Sequence, residues 1–416
     1  MGTSQHNNLP AEEPQLRSGH AGAHALAVAR AHGVDTMWTL SGAHVFPLYD
    51  AVVKGTPGVR LVDVRHEQTA VFGAEATAKL TRRPGLAVLT AGPGITNGVS
   101  GIAQAYYAGV PLLTIGGRAP QFRWGTGALQ EVDHPPLLAP VTKLATTAMT
   151  AADVATTVDH ALRVATASHR GPTFVDVPMD ELYSFADVEI PAVGPRVPTV
   201  PDPDDLAGVA AELTAAQRPV LVLGSDVWMD GAETAALRLA EEAGIPVVAN
   251  GMGRGILPRG HHLLVNHARS AAFKGADLVV VVGTPLDFRL GFGVFGGVDG
   301  APPARVVHIA DSPEQLAGHV DLAASASGDL SLVFDGLLEA LRSVARRPSY
   351  SDWVDRLDDA VRAATDRAAD LLTADADPIH PARIYGELVP RLAEDSIVIG
   401  DGGDFVSFAG KFVEPK

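Results

Sequence analysis

The feature that most constrains this chain is a series of short, almost uninterrupted apolar runs, most of them bounded by glycine or proline. LAVLT at 86–90 and TFVDVP at 173–178 lie in the N-terminal half; PVLVLG, IPVVA, DLVVVVG and RVVHIA follow in the C-terminal half. A run without polar alternation suits a strand buried on both faces, the condition of a parallel sheet covered by helices. Residues 67–82 carry apolar or small residues at Ala70, Val71, Ala74, Ala76 and Leu80, the spacing of a helix lying on a sheet, and Pro84 and Gly85 stop it. The pattern predicts an α/β chain with doubly wound parallel sheets. Ligands in such folds bind beyond the carboxyl ends of the strands. Glu67, just after the strand LVDV, and the turn 91–94, just after LAVLT, are therefore expected at one crevice. On residue type alone Glu67 has two readings: a ligand contact, or a first-turn acid that the helix dipole favours by about 0.3–1 kcal/mol.

At 416 residues the chain exceeds one ordinary core, and its runs divide it further. We read residues 1–17 as a disordered tail, 18–183 as the first doubly wound domain and 184–204, rich in proline, as a linker. Residues 205–346 read as a Rossmann-like central domain and 347–377 as a charged connecting segment, partly helical. Residues 378–416 read as the beginning of a third α/β domain, with PARIYGELVPRL as helix and SIVIG as a buried strand. No apolar run reaches the roughly 18 residues of a membrane helix, and the N-terminus lacks the pattern of a signal peptide, so a cytoplasmic protein is expected. The absence of cysteine excludes disulfides and thiolate chemistry. A net charge of -16 argues against nucleic acid as a partner.

RHEQTAVFGAEA, followed by LTAGPGITNGVSGIAQAYYAGVPLLTIGG, resembles the pyrimidine-binding domain of thiamine-diphosphate enzymes of the acetolactate synthase group. The resemblance implies that Glu67 is the catalytic carboxyl: it bonds a nitrogen of the aminopyrimidine ring and so helps the cofactor shed the proton of its thiazolium carbon. It implies that Gly42 and Ala43 form a small-residue turn against the cofactor, and that Thr90, Pro93, Gly94 and Asn97 surround the pyrimidine. Gln130, in ALQEVDH, stands where the family contacts cofactor and substrate. His44 departs from the family's small residue and reads as an exposed turn histidine or a substrate contact. The glycines of the 91–94 turn permit close backbone approach, and the helix they open is expected to offer free N–H groups.

The central stretches NGMGRGILPRGHH and HARSAAFKGADLVVVVGTPLDFRLGFG resemble 2-hydroxyacyl-CoA lyases and oxalyl-CoA decarboxylases. For this domain the resemblance implies FAD, as in acetolactate synthases, or ADP or coenzyme A, as in relatives. Arg254, Arg269 and Arg289 are then candidate phosphate contacts, and Asp311 a candidate ribose contact. In the last segment Gly403 and Asp404 match a loop that touches the cofactor's phosphate end. Asp401 does not read as a metal ligand, because the family motif needs a later Asn and only 14 residues follow Gly402. No metal ligand is therefore assigned in this chain; Mg²⁺ ligands are expected beyond it, and the chain alone is expected to be inert and to bind cofactor weakly.

The expected reaction is decarboxylation of pyruvate and carboligation to 2-acetolactate, a step of branched-chain amino acid biosynthesis, in a homodimer or homotetramer whose subunits complete each other's sites. Two alternatives stand beside it: a carbon–carbon lyase acting on acyl-CoA, and a non-catalytic partner subunit. Other classes lack their motifs: no G-x-G-x-x-G follows PVLVLG, no G-x-S-x-G is present, and His261 and His262 are adjacent and expected to point apart rather than share a metal.

Overall fold

The computed structural model describes residues 15–54, 58–298, 300–344, 348–400 and 402–415, the side chains of 404 and 405 excepted. The chain divides into two compact units, 1–197 and 198–416.

The first unit holds a six-stranded sheet made of β2 (Thr36–Thr39), β3 (Arg60–Asp63), β4 (Gly85–Leu89), β5 (Leu112–Arg118), β6 (Leu144–Thr147) and β7 (Pro172–Pro178). Its spatial order is β3-β2-β4-β5-β7-β6, and every pairing is parallel. β4 illustrates why the apolar runs are continuous. Leu86 and Val88 enter the core on one face with the Ala21–Ala31 and Val154–Thr166 helices, while Ala87 and Leu89 enter the opposite core with the Glu67–Thr81 and Pro93–Tyr107 helices. Successive residues point to opposite faces, so a strand covered on both sides must be apolar throughout.

The strand order reverses between β2 and β4. Their carboxyl ends open there into the crevice where doubly wound sheets bind ligands. Before this sheet, β1 (Gln15–His20) pairs antiparallel with β8 (Phe185–Ile190). Residues 15–17 are thus strand rather than tail, and the first part of 184–204 is strand rather than linker. The pairing joins segments far apart in sequence, and neither forms a ladder alone.

The second unit repeats the plan with five parallel strands: β9 (Pro219–Leu223), β10 (Val247–Ala249), β11 (Leu278–Val282), β12 (Arg305–Ala310) and β13 (Ala324–Ser327), in the order β10-β9-β11-β12-β13. The Ser351–Thr373 helix is held by its first turns, where Trp353 and Leu357 are buried and the Trp353 indole N–H donates to Pro219 O at 3.0 Å. Beyond these turns Ala368 is also buried, and the rest of the helix surface is largely charged and exposed, which accounts for the charged composition of 347–377.

Two expectations fail in this unit. SIVIG forms no strand: Ile397 and Ile399 are 89% and 90% exposed. Among the described residues no strand lies beside 396–400, and an unpaired segment has no partner for its backbone N–H and C=O groups. His261 and His262 do not point apart; their rings stack at 4.8 Å between centroids, 22° from parallel. Opposed neighbours are a property of extended strands, and these two residues sit in turns. Among the described residues, no helix is long and apolar enough to cross a membrane.

Buried histidines set the acid sensitivity of both units. Burial lowers the pKa of His24, His44 and His308 below the ordinary 6.5. The unfolded chain takes up these protons near pH 6.5 whereas the folded chain takes them up only at lower pH, so the unfolded state binds more protons and stability falls as pH drops below 6.5. Each pKa unit of lowering is worth about 1.4 kcal/mol once the pH is below both values. Urea midpoints measured from about pH 7.5 down to about pH 5 should decline steadily; a flat profile would sink this account.

Candidate active site

Three chain segments meet at the β2/β4 crevice. After β3 the chain turns at His66, which caps the next helix by accepting from Gln68 N, and Glu67 becomes that helix's first residue. The residue is only 9% exposed. The Asn97 side-chain amide donates to Glu67 Oε2 at 3.0 Å, which leaves Oε1 on the side of Gly94. A Cβ on Gly94 would lie 2.6 Å from Thr90 Cγ2 and 3.6 Å from Glu67 Oε1. Only hydrogen leaves room there.

Gly42 approaches the same place from β2. A Cβ on it would sit 2.3 Å from both Thr90 Cβ and Oγ1, so the turn after β2 can lie on the turn after β4 only without a side chain. Ala43 is exposed beside it and opens a single 3₁₀ turn. His44 is buried, 3% exposed, with Nδ1 3.2 Å from Thr90 Oγ1. The exposed-turn reading fails because the turn is pressed against β5: a Cβ on Gly117 would fall 2.4 Å from His44 Cβ. Burial lowers the His44 pKa, so its ring is neutral at neutral pH.

The 91–94 turn does not present free donors. Gly94 N donates to Ala91 O, while Ile95 N and Thr96 N both donate to Gly92 O. Gly92 adopts φ 57° and ψ -114°, a conformation that side chains disfavour. Pro93 is exposed at the head of the helix. Gln130 packs over Gly92: a Cβ there would meet Gln130 Cβ and O at 2.9 Å, and Gln130 itself has φ 59°. Glu131 turns back into its own loop, accepting from Gly125 N and Ala128 N. Alongside opens a cleft of about 410 Å³ lined by Ala43, His44, Arg123, Leu129 and Met179 among others.

The structure thus brings together Glu67, Gly42, Ala43, Thr90, Pro93, Gly94, Asn97 and Gln130. Arg254, Arg269, Arg289, Asp311, Gly403 and Asp404 belong to the other unit. There the Arg254 guanidinium donates to Gly410 O and Val413 O, each at 2.6 Å, and burial lowers its pKa. Arg269 donates to Arg289 O, and Arg289 pairs with Asp287 at 2.6 Å. Asp311 is 1% exposed just past β12. Gly403 opens the Gly403–Phe412 helix; the Asp404 side chain lies outside the described residues.

Residue-type reasoning missed three residues packed behind the 91–94 turn: Arg118, His134 and Asp176. His134 Nε2 accepts from Gly92 N at 3.0 Å, and its Nδ1 lies 2.8 Å from Asp176 Oδ2. A carboxylate inside the otherwise apolar run TFVDVP was the available signal, because a buried charge demands partners.

Comparison with known proteins decides the family. Residues 20–137 match the thiamine pyrophosphate enzyme N-terminal TPP binding domain, and residues 206–337 match the thiamine pyrophosphate enzyme central domain. The chain is 44% identical over 399 residues to an acetolactate synthase large subunit of Mycobacterium tuberculosis, covering 95% of this chain and 71% of that one. The chain belongs to the acetolactate synthase family of thiamine-diphosphate-dependent enzymes. It is also 33% identical over 442 residues to human 2-hydroxyacyl-CoA lyase 2, covering 95% of this chain and 68% of that one. The Caenorhabditis elegans 2-hydroxyacyl-CoA lyase 2 is 30% identical over 463 residues, covering 100% of this chain and 71% of its own. The crevice suits the aminopyrimidine ring of a thiamine-diphosphate enzyme: it offers one buried carboxyl with an oriented oxygen, and cradles at Gly42 and Gly94 that a Cβ would fill.

Proposed function

We propose that this chain supplies the pyrimidine-binding half of a thiamine-diphosphate site that decarboxylates a 2-oxo acid such as pyruvate and joins the remaining two carbons to a second 2-oxo acid, giving 2-acetolactate. The observation that carries this reading is the Glu67 carboxyl, buried at a helix start with Oε2 held by Asn97 and Oε1 left toward Gly94. When bound, the cofactor supplies the carbon nucleophile that attacks the 2-oxo group and accepts the electron pair released with carbon dioxide. Glu67 Oε1 holds or takes the proton exchanged with a ring nitrogen, and Asn97 keeps that oxygen aimed. Gly42, Ala43, Thr90, Pro93 and Gly94 shape the slot for the ring, while Gln130 covers it. The neutral His44 and the adjoining cleft, which Arg123 also lines, face the substrate side.

A homodimer or homotetramer would complete the site; Mg²⁺ would neutralise the cofactor's diphosphate with ligands not assigned in this chain, and Gly403 and Asp404 are the proposed contacts of the phosphate end. The second unit is proposed to take a nucleotide, FAD or ADP, beyond the carboxyl ends of β9 and β11, where its strand order reverses. Asp311, Arg254 and Arg289 are its proposed contacts. A second reading, cleavage of a carbon–carbon bond in 2-hydroxyacyl-CoA, rests on the 33% identity to the human lyase. Turnover assays of the assembled holoenzyme with pyruvate and with a 2-hydroxyacyl-CoA separate the two, and no turnover of the holoenzyme with either would favour a non-catalytic partner subunit.

Calorimetric titration of thiamine diphosphate with Mg²⁺ into the chain tests the cofactor assignment. Weak, Mg²⁺-dependent binding that is lost in Asn97→Ala is expected. Equal isotherms for the two proteins, or no heat with either, would overturn it for this chain.

A further inference from the structure

The turn after β4 is held by a side chain from outside its own helix. Gly92 can supply no cap of its own, and its N–H, enclosed in the fold, donates to His134 Nε2 at 3.0 Å. Because Nε2 accepts, the proton of the neutral ring sits on Nδ1 and is donated to Asp176 Oδ2 at 2.8 Å. Asp176 is 0% exposed at the end of β7. Its carboxylate also receives the Thr147 hydroxyl at 2.6 Å from β6 and the Arg118 guanidinium at 3.0 Å from β5. Arg118 is fixed in turn by Asp133 at 3.0 Å and by the face of Trp124, 3.8 Å from the ring centroid. His134 rests edge-on to Phe174.

Four strand ends at one edge of the sheet are thereby tied to a single backbone N–H. A phenylalanine could fill the same space, but it would leave both the Gly92 N–H and one Asp176 lone pair without partners. A ring with one donor and one acceptor on separate nitrogens meets both needs. Gly92 lies two residues from Thr90 and Gly94 and begins the helix that carries Asn97, so its peptide sets where the Asn97 amide meets Glu67.

We propose that His134, oriented by Asp176, is a positioning residue of the pyrimidine site: it fixes the Gly92 peptide and through it the Asn97–Glu67 pair. The proposal rests on the cofactor reading above for its functional consequence, but its structural core can be measured in the full chain without cofactor. Ring ¹⁵N spectra of selectively labelled protein should show His134 as the neutral Nδ1–H tautomer with Nε2 accepting. In His134→Phe the Gly92 amide should lose its protection from hydrogen exchange and the Asn97 side-chain amide resonance should shift. His134→Gln, which keeps a donor and an acceptor, should restore both, as a purely space-filling role would not. Leu162→Ala, in the core of the same unit, serves as a destabilised control in which neither signal moves.

Thiamine diphosphate affinity should fall roughly 10–100-fold in His134→Phe, the range for partners that orient a binding group, and recover in His134→Gln. An Nε2–H tautomer, or unchanged Gly92 exchange in His134→Phe, would overturn the proposal. So would accelerated exchange with unchanged affinity, because the turn would then not govern the site. If the wild type itself binds no cofactor, the cofactor reading and with it the positioning role are overturned, while the exchange data still judge the His134–Gly92 bond.

Discussion

Glu67→Gln lowers the rate of 2-oxo acid decarboxylation in the assembled holoenzyme by roughly 10²–10⁴-fold, the span that a positioned acid–base group contributes. The substitution preserves shape, and an amide oxygen can still accept from Asn97, so the local fold has no reason to change. What is lost is the capacity to hold and release a proton at Oε1, where the amide NH2 of glutamine can only donate. Stopped-flow or steady-state decarboxylation, with the thermal midpoint measured in parallel, checks this. A variant with full turnover would return Glu67 to the role of a first-turn acid on the helix dipole, worth about 0.3–1 kcal/mol and nothing in catalysis.

Gly92→Ala should be costly on two counts, backbone strain and overpacking. A side chain at φ 57° and ψ -114° stores strain of about 1–3 kcal/mol. The added Cβ would lie 2.9 Å from Gln130 Cβ and O, and overpacking of that kind costs about 1–3 kcal/mol more. Gln130 cannot easily yield, since it already sits at φ 59°. Gly244→Ala provides the comparison: its φ is 66°, but nothing lies within 4 Å of the added carbon, so only a backbone cost of about 1 kcal/mol remains. Denaturant midpoints of the two variants should differ accordingly, and thiamine diphosphate binding should suffer only in Gly92→Ala. Equal midpoints would mean that the turn relaxes around the methyl group.

The two substitutions probe different kinds of information. That Glu67 and the 91–94 turn share one sheet edge was legible from strand ends and spacing, whereas the grouping of Glu67, Thr90, Gly94 and Asn97 around a pyrimidine came from the family resemblance. The roles of His44, His134 and Asp176 were not legible. His44 reads locally as a turn residue, and only the close approach of Gly117 buries it. His134 and Asp176 are 42 residues apart in sequence, and nothing in either segment announces the other.

The amino-acid order alone dictates the secondary elements and most of the sheet chemistry, since an apolar run buried on two faces and a helix with one apolar stripe are properties of short stretches. It therefore dictates that Glu67 and the 91–94 turn lie at one sheet edge. SIVIG marks where this reasoning ends: its composition matches that of a buried strand, yet it lies exposed with no strand alongside among the described residues. Burial, pairing and the partner of each polar group depend on which segments arrive beside one another, and that is decided by packing over the whole unit. β1 needs β8 from 170 residues later to become a strand at all, and the buried Asp176 carboxylate is affordable only because β5, β6 and the His134 segment converge on it.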